Sequence, residues 1–416
     1  MKNKEIQVGG VSKINSETIG GRHSFKEILY LDTGNITRNK LDRLQTIKLG
    51  EQVLPSRAQR KVSNGTIVYS TVRPLQEHYG FMDAPPNNLI VSTGFTTIDV
   101  VDDSVDPKFL YYCLTEKNIT NYLNGIASSN VSSYPSINPE DLANLKFKIP
   151  ADVNLQRKLA KVLNSIESKV SLNEAINDKL LQIARTLFQY WFVQFEFPSS
   201  NGQPYKQNNG QMKWSEKLKK SIPISWDEIS IADLAEQSTE TVSPSANPEK
   251  IFRHYSIPAF DELGTYSLEH GSEIKSDKFL IDKNDILVSK LNPWFNRVIY
   301  STNDANLISS TEFVVWRAGN ALVKNFLYML ATDVSFIKFC TQSATGTSNS
   351  HKRVNPELMM SYCVAGNIDV IKQFGSSIDG ILKLRASNEV ENTYLKTLKN
   401  WLHPLIVNRK IQIDVV

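Results

Sequence analysis

The sequence predicts a mixed α/β (α+β) fold that is built twice: two globular domains separated by a pair of long antiparallel coiled-coil helices, with a pseudo-two-fold internal repeat. Three observations predict it. Short phrases recur along the chain at a constant spacing, each copy leads into a long amphipathic segment, and short β-rich runs alternate with helix-like segments inside each copy. A chain of 416 residues is also long enough for several domains of roughly 100–200 residues each.

The repeat is the strongest of these signals. The phrase GTIVYSTVRP at residues 65–74 returns as NDILVSKLNP at residues 284–293, with isoleucine, serine and proline in matching places. Further pairs are LIVSTGFTTI at 89–98 with LISSTEFVVW at 307–316, Phe-Leu-Tyr at 109–111 with 326–328, and Asn-Pro-Glu at 138–140 with 355–357. The offset stays between 217 and 219 residues, which chance does not maintain over so long a stretch, so the two halves are predicted to share one scaffold.

Each copy leads into a predicted long helix, at residues 151–197 and 368–410. Apolar residues fall at steps of three and four, which is typical of a coiled-coil seam. At ~1.5 Å per residue each helix is about 60 Å long, and a lone helix with one apolar stripe needs a partner. The obvious partner is the other helix, antiparallel, although a parallel pair remains an alternative. The residues predicted to pack the pair are Leu155, Leu159, Ile166, Leu180, Ile183, Leu187, Phe374, Ile378, Ile381, Leu395, Leu398 and Leu402.

Two features of the second helix raise questions about its packing. Its centre, from residue 385 to residue 392, is polar, which predicts a thin or broken seam there. Pro404 is expected to end or kink the helix. The globular domains then occupy residues 1–150 and 221–367, and the polar segment at 198–220 is predicted to be a linker.

Composition narrows the class of protein. A formal net charge of +4 permits a polyanionic partner without demanding one. Three cysteines without a CxxC spacing favour reduced thiols over a disulfide framework or a zinc ribbon. Because the chain shows neither a signal-peptide pattern nor a membrane-spanning apolar run, we expect a cytoplasmic protein without a membrane partner.

Motifs for catalysis are weak or absent, so no catalytic residue and no metal site are predicted. The phosphate-binding, dinucleotide-binding, zinc-protease and nucleophile-elbow motifs do not occur. DAPPNN at 83–88 faintly resembles an adenine-methyltransferase motif but favours a proline-rich turn. Asp261, Glu273 and Lys275 have the residue types of a metal-dependent nuclease without a counterpart in the first copy. The six histidines form no ligand-spaced pair.

Signals for nucleic-acid binding are better. Basic and small polar residues cluster at corresponding places in the two copies, at the ends of the repeated strands and in the loops after them. Guanidinium and amide groups suit phosphate oxygens and base edges, although any single residue is as easily a solvated surface charge. The candidates are Arg57, Arg60, Lys61, Arg73, Ser129, Asn130, Lys290, Asn292, Arg297, Ser348, Asn349, His351, Lys352 and Arg353.

These residues resemble the specificity (S) subunit of type I restriction–modification systems. LPSRAQRKVSNGTIVYSTVRP at 54–74 resembles a recurrent opening of its target recognition domains, and the passage from the Asn-Pro-Glu segment into the helix at 155–192 matches its conserved helix. SIPISWDEISIADLAE at 221–236 resembles the Pro-x-x-Trp start of a second recognition domain. The first copy lacks that start, and the polar centre of the second helix also departs from the pattern.

The resemblance implies a non-catalytic DNA-binding subunit of a bacterial defence complex. Each target recognition domain would read half of a split target in double-stranded DNA. Two methyltransferase (M) subunits and the restriction (R) subunits would be its partners. No cofactor would bind this chain, and S-adenosylmethionine, ATP and Mg²⁺ would sit on the partners. The alternatives are a duplicated protein-interaction scaffold with a coiled-coil spacer and a self-contained nuclease or methyltransferase.

Overall fold

The computed structural model describes residues 2–20, 25–129, 135–346 and 351–408. The chain divides into two compact units. The first unit comprises residues 1–169 and 395–416, and the second unit comprises residues 170–394. The division runs through both long helices, so each unit contains one globular part together with a segment of each helix.

The first unit contains two four-stranded sheets. One has the order Gln45–Lys48, Glu27–Leu31, Leu89–Ser92 and Ala58–Lys61. The other has the order Ser12–Ile14, Phe95–Val100, Ile67–Ser70 and Tyr79–Phe81. Two strand pairs are Asn3–Gln7 with Lys146–Pro150, and Ile36–Thr37 with Lys40–Leu41. The shorter helices are Val8–Val11, Pro107–Leu114, Lys117–Ser129 and Pro139–Ala143.

The second unit repeats this arrangement. Its five-stranded sheet has the order Thr241–Val242, Lys278–Leu280, Leu307–Ser309, Ile251–Tyr255 and Ser267–His270. Its four-stranded sheet has the order Ala235–Ser238, Phe313–Ala318, Asp285–Ser289 and Val298–Tyr300. Two strand pairs are Asp227–Ser230 with Cys363–Gly366, and Met212–Ser215 with Lys220–Pro223. The shorter helices are Ile231–Leu234, Ile257–Leu263, Ala321–Ala331, Val334–Ser343 and Pro356–Met360.

In each unit, the strand formed by the first repeated phrase contributes side chains to two hydrophobic cores. In Ile67–Ser70 every residue is buried, because alternate side chains point to opposite faces and both faces are covered. Ile67 and Tyr69 pack with the helices, whereas Val68 packs between the sheets. Asp285–Ser289 does the same, with Ile286 on the helical side and Leu287 between the sheets. The predicted shared scaffold is therefore present in both units.

The first strand of the first unit is Asn3–Gln7, which pairs with Lys146–Pro150 as Asp227–Ser230 pairs with Cys363–Gly366. It forms without the buried Trp226 that marks the second start. The predicted linker contains an ordered hairpin, Met212–Ser215 with Lys220–Pro223, and Tyr205 stacks on Phe197 with ring centroids 4.7 Å apart. It is therefore folded and not a plain spacer.

The two long helices are Val153–Phe188, continued by a π-helical turn at Gln189–Val193, and Ile368–Val407. In the first unit, the early residue Glu167 forms an ion pair with the late residue Lys399 at 2.5 Å. In the second unit, the late residue Phe188 lies against the early residue Phe374, with ring centroids 5.9 Å apart. Within each unit the helices are therefore antiparallel, as predicted.

The centre of the second helix is polar but not broken. Asn173 and Asn177 of the first helix are buried against Asn388 and Asn392 of the second. Asn173 donates to Asn392 at 2.9 Å, and Asn388 donates to Asn177 at 2.8 Å. Of the two predicted effects of Pro404, ending or kinking the helix, the first is wrong, because the helix continues to Val407. Proline removes one backbone bond, and so close to a helix end that loss is tolerated.

Most residues predicted to pack the helix pair are buried or half-buried. Leu159, Phe374 and Ile378 are buried. The half-buried ones are Leu155, Ile166, Leu180, Leu187, Ile381, Leu395, Leu398 and Leu402. The prediction for Ile183 is wrong, since its side chain is 56% exposed. The neighbouring residue Ala184 is buried in its place. Because one residue along a helix corresponds to a rotation of about 100°, Ile183 then faces away from the buried side.

Candidate nucleic-acid interface

The shared serine of the repeated strand holds the strand end in the same shape in both units. The Ser70 hydroxyl donates to the carbonyl of Val72 at 3.2 Å and accepts from its amide at 3.2 Å. The Ser289 hydroxyl makes the same pair of bonds with Leu291, at 3.0 and 3.2 Å. Its conservation between the copies therefore has a structural cause.

The shared proline begins a short 3₁₀ turn that follows each strand, Pro74–Gln76 in the first unit and Pro293–Phe295 in the second. The residues flanking these turns have left-handed backbone angles, with φ of 48° at Arg73, 54° at Glu77, 49° at Asn292 and 50° at Asn296. Left-handed angles are unfavourable for residues other than glycine, so the surrounding bonds must hold each turn in place.

The structure brings this strand end together with the predicted small-polar loop in each unit. In the second unit, the backbone N–H of Asn292 donates to the carbonyl of Lys352 at 2.7 Å. The side-chain oxygen of Asn292 accepts a hydrogen bond from the backbone N–H of Lys352 at 3.1 Å. Val354 donates to the Lys290 carbonyl at 3.0 Å. The backbones of Lys290, Asn292, Lys352 and Arg353 are therefore joined at this strand end.

The first unit has the same backbone bonds with different side chains. Arg73 donates its amide to the Pro135 carbonyl at 2.9 Å, and Ile137 donates to the Thr71 carbonyl at 2.8 Å. Arg73 is exposed, whereas its counterpart Asn292 is buried. The amide side chain of Asn292 therefore supports the loop, and the guanidinium of Arg73 lies at the surface.

Arg57, Arg60 and Lys61 lie around a strand of the other sheet, Ala58–Lys61. A turn connects Arg57 to the strand end: Thr93 donates to the Arg57 carbonyl at 2.8 Å, and Thr71 donates to the neighbouring Gly94 carbonyl at 2.9 Å. Arg57 is exposed, whereas Arg60 is half-buried. Burial lowers the pKa of the Arg60 guanidinium, and its Nε has no partner among the residues described.

Two of the predicted cations are already paired. Arg297 is buried and forms a bidentate ion pair with Asp261, with N–O distances of 2.6 and 2.7 Å. Arg353 is exposed and forms a bidentate pair with Glu312 at 2.9 and 3.0 Å, which raises the pKa of Arg353. Arg297 thus supports the turn, whereas Arg353 can exchange a carboxylate for a phosphate at the surface.

The remaining candidates lie at the loops. The Ser129 hydroxyl donates to the Ile126 carbonyl at 2.7 Å at the end of its helix, and His351 is exposed. Asn130, Ser348 and Asn349 lie outside the described residues.

The nuclease-like residues are not assembled. Asp261 is paired with Arg297, and Glu273 accepts a hydrogen bond from the backbone of His270 at 2.7 Å. Within the described parts of the chain, no three His, Cys, Asp or Glu side chains are grouped to hold a metal ion. Asp83–Asn88 forms a turn in which the Ala84 amide donates to Asn64 at 2.9 Å.

Sequence reasoning missed one contribution to this surface. The strand Glu27–Leu31 is followed by the hairpin Ile36–Leu41, whereas its counterpart Ile251–Tyr255 is followed by the helix Ile257–Leu263. Both insertions reach the residues after the 3₁₀ turn, through an ion pair between Arg38 and Glu77 and through the pair between Asp261 and Arg297. Because the insertions differ between copies, the repeat gave no signal for them.

Comparison with known proteins supports the family. The model of the type I restriction modification DNA specificity domain matches residues 2–182. The Type I restriction enzyme HindI specificity subunit of Haemophilus influenzae is 31% identical over 193 residues, covering 46% of this chain and only 41% of that protein. The Type I restriction enzyme MjaIX specificity subunit of Methanocaldococcus jannaschii is 23% identical over 386 residues, covering 88% and 84%.

The fold has the same relatives. The crystal structure of a type I restriction–modification S subunit from M. genitalium aligns with a TM-score of 0.59 at 13% identity, covering 100% of this chain and 97% of that one. In the parts of the chain that the structure describes, no helix combines the length and the apolar character that crossing a bilayer requires. In sequence this chain is therefore similar to type I restriction–modification specificity subunits, and it shares the fold of one solved S subunit.

Proposed function

We propose that this chain recognises a split target in double-stranded DNA, with one half read by each unit. The observation that carries the proposal is the pair of equivalent surfaces, in which identical backbone bonds present different side chains. Thr71 and Arg73 of the first unit stand where Lys290 and Asn292 stand in the second. A scaffold repeated with altered surface residues suits two different half-sites, because base edges are read by side chains and register is held by phosphate contacts.

The helix pair is proposed to set the spacing between the half-sites. Support comes from the buried asparagines, which admit one pairing of the helices in the second unit: Asn173 with Asn392 and Asn177 with Asn388. Buried polar residues in coiled coils specify register, because any other register leaves their amides without partners. Duplex DNA repeats every ~34 Å, so a fixed register would select which two groove segments are read together.

Partner subunits are proposed to dock on the outer faces of the long helices. Leu172, Ile176 and Ile183 are exposed at helical spacing on the first helix. Exposed apolar rows are typical of protein interaction sites. We propose that two methyltransferase subunits occupy these faces, that restriction subunits join through them, and that S-adenosylmethionine, ATP and Mg²⁺ bind to those partners. Catalysis would then belong to the partners and not to this chain.

Methylation mapping tests the proposal directly. A host lacking other type I systems would express the chain with its methyltransferase partners, and the genome would be sequenced for modified adenines. The expected result is one split motif with a constant spacer. Arg73→Ala should degrade only one half of the motif, and inserting one helical turn on one side of the asparagines should alter only the spacer. If no motif appears while the chain still forms a complex with a protein partner, the duplicated interaction scaffold is the better account.

A further inference from the structure

The 3₁₀ turn after the repeated strand has exposed apolar tips in both units. In the second unit, Trp294 is 39% exposed and Phe295 is 58% exposed, with ring centroids 5.9 Å apart. In the first unit, Leu75 occupies the position of Trp294 and is 58% exposed. A single exposed apolar residue is ordinary, but the same position exposed in both copies, once as an aromatic pair, indicates a contact surface.

The turns are rigid platforms for these side chains. The Glu77 amide donates to the Pro74 carbonyl at 2.9 Å, and the Asn296 amide donates to the Pro293 carbonyl at 3.0 Å. Both prolines are buried, and each turn packs on a helix, Lys117–Ser129 or Val334–Ser343. The tip residues are therefore held outwards at little further entropic cost on binding, which favours a specific contact.

Three basic residues lie around the second turn, and the nearest, Arg297, is paired with Asp261. The Arg297 guanidinium lies over the Phe295 ring at 4.6 Å from its centroid. Lys290 precedes the turn, and the Lys352 backbone is bonded to Asn292 at its base. Exposed apolar side chains next to basic residues suit DNA, because its stacked bases are apolar and its phosphates are negatively charged.

We propose that the turns insert their tip residues at a base step of each half-site, Leu75 in the first unit and Trp294 with Phe295 in the second. This rests on the proposed recognition of DNA and adds a mode of reading to it. DNA-bending proteins insert leucine or phenylalanine in this way and partly unstack the step, so flexible steps are favoured without hydrogen bonds to their bases.

The test uses duplexes carrying the mapped target with 2-aminopurine placed at successive positions, excluding the methylated adenine. The full chain, in complex with its methyltransferase subunits, is added and the fluorescence recorded. An increase at one step in each half-site is expected. Phe295→Ala with Trp294→Ala should abolish the increase in one half-site and weaken binding by roughly 5- to 100-fold. Leu75→Ala should abolish it in the other half-site only.

Leu268→Ala is the matched control, since Leu268 is an apolar residue of the second unit that is 66% exposed on a different strand. It should change neither signal. Intact binding without any step-specific increase, or an increase that survives the turn variants, overturns the insertion. If the turn variants bind DNA normally but lose a protein subunit from the complex, the turns contact protein and the proposal is also overturned. A complex that binds no DNA at all refutes recognition itself, and is thereby distinguished from failure of the insertion.

Discussion

The strand ends of the two units have the same backbone and almost no surface side chain in common. Serine 70 and serine 289 make the same two bonds, and the prolines that follow are both buried. Around them, Gly94 of the first unit stands where the second has Glu312, and Ser136 stands where the second has Arg353. The shape of the site is thus held mainly by backbone bonds and by the shared serine and proline, so the other side chains can differ while the scaffold is kept.

The difference extends below the surface, beside the repeated strand. In the second unit, the fully buried Asp285 accepts two bonds from Arg317, at 2.9 and 3.0 Å. At the equivalent place the first unit has a hydrogen bond from Thr66 to Asp99, at 2.5 Å. Arg317→Met should destabilise the second unit by about 3–5 kcal/mol, because it leaves a buried carboxylate unpaired. Hydrogen exchange of the strand Phe313–Ala318 measures this loss.

Thr66→Val is the comparison variant, and its expected cost in the first unit is about 1.5–3 kcal/mol, because it removes a hydrogen bond to the Asp99 carboxylate and the one accepted from the Ser63 amide. Hydrogen exchange of the strand Phe95–Val100 would report it. Equal losses in the two units would contradict the view that the second unit depends on an ion pair where the first does not.

The helices carry another difference of this kind. His403 of the second helix occupies the position that Phe188 has in the first, and its Nε2 lies 2.8 Å from the Tyr112 carbonyl. Burial lowers the pKa of His403 to about 4, although the hydrogen bond to the Tyr112 carbonyl raises it. The other charged groups nearby are Lys399, which lowers it further, and Glu167, which raises it.

Acid should therefore weaken the first unit. The unfolded chain binds a proton at His403 near pH 6.5 and the folded unit does not, so the stabilisation is complete above that pH and is lost as the pH falls towards 4. The expected loss is about 3 kcal/mol. Hydrogen exchange of the first unit at a series of pH values measures it, and His403→Phe, which copies the other helix, should remove this part of the pH dependence. An unchanged slope in that variant would show that other groups dominate.

The asparagines at the centre of the pair are where the two copies agree, since Asn173 corresponds to Asn388 and Asn177 to Asn392. Asn173→Ala and Asn388→Ala should each cost about 1–3 kcal/mol, because each leaves a buried amide without a partner. Replacing all four with leucine should cost less than either single change, since the paired amides are then removed together. Urea unfolding compares the variants. A quadruple variant that is less stable than either single variant would show that the asparagines stabilise the helix pair by more than the hydrogen bonds they make to one another.

The repeat and the helical periodicity were enough to predict the scaffold, because matching phrases mark matching strands. They were not enough for contacts between distant residues. Nothing local links Asp261 to Arg297, 36 residues away, or shows that Asn292 turns inwards while Arg73 stays exposed. The polar centre of the second helix appeared weak because periodicity counts apolar residues, whereas its stability comes from amides that pair across two helices. Insertions that differ between copies, such as Ile36–Leu41 and Ile257–Leu263, leave no repeat to detect.

The smallest expected effect concerns the surface itself, where Glu312 holds Arg353 and the first unit has neither residue. Glu312→Ala releases a guanidinium at the proposed DNA surface and removes one negative charge. If Arg353 then pairs with a phosphate, the plot of log K against log salt concentration should steepen by about 0.9. Fluorescence anisotropy with the mapped target between low and moderate salt gives this slope. Glu216→Ala, which removes an exposed carboxylate of the same unit that pairs with Lys219, is the control and should leave the slope unchanged. The opposite result would be an unchanged slope together with a new base preference at one position. Glu312 would then contact a base directly, and the Glu312–Arg353 pair would take part in recognition instead of keeping Arg353 from the phosphates.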